Sequence, residues 1–77
     1  MCEYEALVYD EIGSFTFSKF TDMNVLIWYV IDYFNTEYYE PPTRVSVDDY
    51  GEGDKIIYAY WRSGKKMTAV VLCTKFA

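Results

Sequence analysis

Two periods of apolar spacing alternate along the chain. Residues 4–10 (YEALVYD) and 14–19 (SFTFSK) alternate in the manner of strands. Residues 20–35 (FTDMNVLIWYVIDYFN) follow a helical spacing, and alternation returns over residues 44–48, 55–62 and 65–75. The predicted order is ββαβββ. This is an α+β fold, a single helix packed on an antiparallel β-sheet, forming one small domain over residues 1–77.

At 100° per residue, Met23, Leu26, Ile27, Val30 and Phe34 share one stripe, with Tyr33 at its margin and Asn24, Asp32 and Asn35 opposite. Trp28 falls among the polar positions. Thr21 is the expected N-cap, with Asp22 at the positive end of the dipole and Phe20 and Val25 spaced as a hydrophobic staple. β-branched residues at 25, 27, 30 and 31 weaken intrinsic helix propensity, so packing must hold this helix. Pro41 and Pro42 bar its continuation beyond Glu40.

In the first hairpin, a three-residue loop 11–13 with Gly13 left-handed would set Tyr9 opposite Phe15 and Leu7 opposite Phe17. In the last, a two-residue turn Ser63-Gly64 would pair Ile56, Tyr58 and Tyr60 with Val71, Ala69 and Met67. Its other face would carry Ile57, Ala59 and Trp61 against Val70, Thr68 and Lys66, with a cation–π contact between Trp61 and Lys66. Both faces are fairly apolar, which suits a hairpin central in the sheet or covered on both sides.

Composition sharpens this picture in two ways. Nine Tyr and five Phe are more than one helix and one sheet can hide, so some aromatics are expected at the surface, where they favour interfaces. The net charge of −5 is also unevenly spread: residues 1–54 hold all 12 acids and two bases, and residues 55–77 hold the other five bases and no acid. An acidic body argues against direct nucleic-acid binding. It suits a protein that presents carboxylates to a basic partner, in the manner of a DNA mimic. The basic hairpin tip, Arg62, Lys65 and Lys66 beside Tyr60 and Trp61, is the one segment that suits single-stranded nucleic acid.

Catalytic motifs are missing. There is no His, which removes the commonest general base and zinc ligand, and no P-loop, nucleophile elbow or dinucleotide fingerprint. Asp48–Asp54 (DDYGEGD) fails as an EF-hand: from Asp48 the twelfth position is Ala59, and from Asp49 the third and fifth are Gly51 and Gly53. No metal or other cofactor is therefore expected. Cys2 and Cys73 are expected as thiols in a reducing cytoplasm, since no signal peptide precedes the first acids. The apolar run Val25–Ile31 is too short to span a bilayer.

These features predict a non-catalytic, cytoplasmic protein-binding domain, an inhibitor or adaptor that docks on another protein, including one that itself binds nucleic acid. In size and charge it is comparable to the counter-defence proteins of phages and other mobile elements, anti-CRISPR proteins among them, an analogy that rests on nothing finer. The expected contact residues are Asp48, Asp49, Tyr50, Glu52 and Asp54, extended by Glu37, Tyr38, Tyr39 and Glu40, together with Trp28 and Asp32 on the helix. The rival expectations are a homodimer or other homo-oligomeric subunit with buried aromatics, and a binder of a nucleotide-like ligand.

Overall fold

The computed structural model describes residues 2–76. It contains β1 (Cys2–Tyr9), β2 (Ser14–Phe20), α1 (Met23–Glu37), β3 (Arg44–Asp49), β4 (Lys55–Tyr60) and β5 (Lys66–Phe76). All strand pairs are antiparallel, in the order β2-β1-β5-β4-β3. The fold is α+β in the predicted order, and the last hairpin holds the middle of the sheet.

The helix packs with the predicted stripe. Leu26, Ile27, Val30 and Phe34 are buried, and Met23 and Tyr33 border the same core. Its start lies one residue later than expected. Asp22, not Thr21, is the N-cap, its carboxylate accepting from the N–H groups of Asn24 (2.9 Å) and Val25 (3.3 Å). The shift dissolves the Phe20–Val25 staple, because Val25 is now the third helical residue and half exposed. Phe20 instead meets Tyr29, ring centroids 5.5 Å apart.

Both hairpin registers differ from expectation by one residue, each for a reason of turn chemistry. In the first, Asp10 accepts from the N–H groups of Ile12 (2.8 Å) and Gly13 (3.0 Å), and its own N–H donates to the Gly13 carbonyl. The loop is therefore four residues long and Gly13 does not adopt a positive φ. Tyr9 pairs with Ser14, Val8 with Phe15 and Ala6 with Phe17. In the second, the Gly64 N–H donates to the Trp61 carbonyl, and Gly64 takes φ +92°. A tight turn closed by a left-handed glycine is the three-residue loop with a bulge, which pairs Trp61 with Lys65. Ile57 then faces Ala69 and Ala59 faces Met67.

The slips decide which side chains meet the helix. Ala6, Val8, Ile57, Ala59, Trp61, Met67, Ala69 and Val71 form the core with α1. The opposite face of the sheet, with Leu7, Tyr9, Ile56, Tyr58, Tyr60, Thr68, Val70 and Leu72, has no second layer over it among the described residues. The hairpin is central, but it is covered on one side only.

Candidate functional site

Trp28 stands on the outer face of α1, 73% exposed. Helical geometry places Asn24, Val25, Asp32 and Asn35 within about 60° of its direction, and all four are exposed. Tyr29 flanks the strip, half exposed, with its ring edge-on to Phe17 at 5.0 Å. The strip thus joins an aromatic ring and an aliphatic side chain to one carboxylate, on a rigid element that its inner stripe fixes in place. Neither Val25, expected to staple against Phe20, nor Tyr29 was among the expected contact residues, although the angular spacing that marks Trp28 as outward marks Val25 as its neighbour.

The expected carboxylate surface is not continuous. β4 runs about 17 Å, at 3.3 Å per residue, from Lys55 beside the acidic turn to Tyr60 beside the last hairpin. Tyr50, Glu52 and Asp54 occupy the turn at the Lys55 end, closed by the Tyr50 N–H donating to the Asp54 carbonyl. Glu37, Tyr38, Tyr39 and Glu40 gather at the other end, where the Trp61 indole N–H donates to the Glu40 carbonyl at 3.0 Å. Trp28 and Asp32 lie between, on the helix. The expected extension of the Asp48–Asp54 surface to Glu37 and Glu40 therefore fails, because antiparallel strands put the two segments at opposite ends of the sheet.

Several acids are already engaged. Asp49 is paired with Lys55, whose hydrogen bond holds its carboxyl below the usual range. Asp10 is held low by the N–H groups of Gly13 and Ile12, and Asp22 caps the helix. Asp32, Asp48, Glu40 and Glu52 are exposed. Among the described residues no group of three or more His, Cys, Asp or Glu is placed to hold a metal ion. Cys2 and Cys73 are thiols, with no bond between them; Tyr4, not Cys2, is the partner of Cys73 in the ladder.

At the Trp61 end, the aromatic contacts differ from those expected. Trp61 is 3% exposed, edge-on to Tyr38 at 4.8 Å and to Phe34 at 6.1 Å. Lys66 pairs with Tyr60, so the expected Trp61–Lys66 contact does not form; the ammonium of Lys65 lies 4.3 Å from the Tyr38 ring centre instead. Desolvation raises the Tyr38 pKa, and Asp10 beside it adds to the rise. Desolvation and a bond to Glu37 raise that of Tyr33. A cleft of about 360 Å³ opens here, lined by Asp10, Glu11, Glu37, Tyr38, Lys65 and Lys66. Lys65 lies over the Tyr38 ring, whose edge-on neighbour is Trp61, and the acids Asp10, Glu11 and Glu37 line the same cleft.

Tyr39 is the odd residue of this end. It is fully exposed and holds φ +61° directly after the helix C-cap Tyr38, a position that glycine ordinarily fills. A non-glycine residue there costs about 1–2 kcal/mol. Strain at an exposed aromatic is a physical pointer to a contact residue.

No helix of the described residues is long and apolar enough to cross a membrane. Compared with protein-family models, curated proteins and solved structures, the chain matches none of them.

Proposed function

We propose that this protein is a non-catalytic binding module, an inhibitor or adaptor that docks on another protein through the outer face of α1. The observation that carries this reading is Trp28. An indole exposed at the centre of a helix is the residue type that most often anchors an interface, and Val25, Tyr29 and Asp32 frame it. The partner that fits has an apolar slot for the ring and basic groups around it, matching Asp32 and the acidic first 54 residues. Proteins that bind nucleic acid commonly carry such basic surfaces, so an inhibitor of one is the form this reading takes. The exposed carboxylates of Asp48 and Glu52 then act at long range, speeding encounter rather than filling the slot.

The test uses the full chain as bait in a lysate of its own source cells. Trp28→Ala should lose the partner with the fold intact, and Asp32→Lys should weaken capture. Asp48→Lys with Glu52→Lys should slow association more than it hastens dissociation. A partner retained in full by Trp28→Ala would refute the reading.

A further inference from the structure

On the uncovered face of the sheet, side chains line up in rows across the strands. One row holds Tyr9, Thr68, Tyr58 and Ser46, and the next holds Leu7, Val70, Ile56 and Asp48. Beyond them lie Lys66, Tyr60 and Arg44 at one end and Glu5 and Leu72 at the other. The face is largely apolar: Ile56 is buried among its neighbours, Tyr58 and Val70 are half-buried, and Leu7, Tyr9 and Tyr60 are each about 40% exposed. Buried sheet faces in small proteins normally meet a second layer.

We propose that the second layer is another copy of this chain, packed sheet on sheet about a twofold axis that runs across the strands. The charges choose the occupant and the axis. Arg44 and Asp48 stand four residues apart on β3, on this face, and Arg44 lies over the Tyr60 ring. A twofold across the strands reverses strand direction, so Arg44 of each copy meets Asp48 of the other, twice. A twofold along the central strand instead sets Lys66 against its own copy and Asp48 against Thr16 of β2, and leaves Arg44 and Asp48 unmatched. The pair on β3 carries the preference, because only the first axis matches opposite charges on this face.

The area suffices. Five strands about 4.8 Å apart, over six residue steps of about 3.3 Å, give a face of roughly 480 Å² per copy. Two copies then bury on the order of 1,000 Å², the lower bound for a specific interface. Aligned sheets cross at about 30°, which this pairing accommodates. The dimer leaves both helices outward and would display the Trp28 strip twice, while it takes Asp48 into its own interface.

Sedimentation equilibrium of the full chain tests it. At about 0.2 mM, above a micromolar Kd, the wild type should show twice the chain mass. Val70→Lys should be monomeric with unchanged circular dichroism. Asp48→Arg, on an exposed edge strand, should raise the dimer Kd about tenfold, or ~1.4 kcal/mol. The exchange Arg44→Asp with Asp48→Arg should restore it, because a twofold keeps a swapped pair complementary. A monomeric wild type, an unchanged Val70→Lys dimer, a swap that fails to restore association, or a dimer dissolved by Trp28→Ala would each overturn the proposal.

Discussion

The two tryptophans of this chain sit in opposite surroundings. Trp61 is enclosed by Phe34, Tyr38 and the core side of the sheet, its indole N–H satisfied by the Glu40 carbonyl. Trp28 meets water over most of its surface, on the far side of the same helix. The difference separates two uses of one side chain. Trp61 fastens the 38–43 connection to the last hairpin and so closes the end of the core. Trp28, 73% exposed, lies outside the core cluster.

The largest effect that tests this contrast is Trp61→Ala. Emptying that site should lower stability by about 3–5 kcal/mol, as for other large-to-small core changes, and should release the Glu40 carbonyl. Urea unfolding measures it, and a loss below about 1 kcal/mol would show the Trp61 end to be as loose as the strip.

Alkaline pH probes the same end. The raised pKa values of Tyr33 and Tyr38 mean that folding favours the neutral phenol. Their contribution is complete below about pH 10, the ordinary tyrosine value, and declines as pH climbs through the folded values. The double variant Tyr33→Phe with Tyr38→Phe should therefore lose less stability between neutral and alkaline pH than the wild type. Superimposable melting-temperature profiles would remove these two hydroxyls from the account.

Tyr39→Gly should act in the other direction. Relieving φ +61° at a fully exposed residue should stabilise the chain by about 1 kcal/mol. If the partner is also lost, the strain serves binding.

The smallest effect belongs to Trp28→Ala, expected within about 0.5 kcal/mol of wild type in the same unfolding experiment. A loss of several kcal/mol would place Trp28 with Trp61 and end the distinction.

Much of the architecture was legible in the sequence, and particular residues show where legibility stopped. The helix stripe could be read because Leu26, Ile27, Val30 and Phe34 recur at one period, which outweighs the strand reading that the β-branched residues of 25–31 also allow. The last hairpin could not be registered from alternation, because Ile56 and Ile57, and Val70 and Val71, are apolar on both sides. A one-residue slip leaves either face credible. The left-handed Gly64 decided it, and Ser63-Gly64 reads equally as a two-residue turn or as the end of a three-residue one. The first hairpin turned on Asp10, whose carboxylate organises a four-residue loop that hydrophobic pattern does not reveal. At the candidate site, Trp28 was visible as an outlier among polar positions. The splitting of the acidic surface was not visible, because it depends on which strand ends lie together.

The place of β5 in the sheet has a consequence for how the chain is made. The strand that leaves the ribosome after all the others is the one that β1 and β4 both pair with. Until it appears, the β1–β2 hairpin and the β3–β4 hairpin have no common neighbour. At about 5–20 residues per second, β1 waits roughly 3–12 s for that partner during synthesis. The nascent chain therefore carries unpaired strand edges for seconds, and cooperative folding begins only when the final strand is inserted between them. Chains cut anywhere before Lys66 should be prone to aggregate, a behaviour that pulse-labelled synthesis of truncated forms would display.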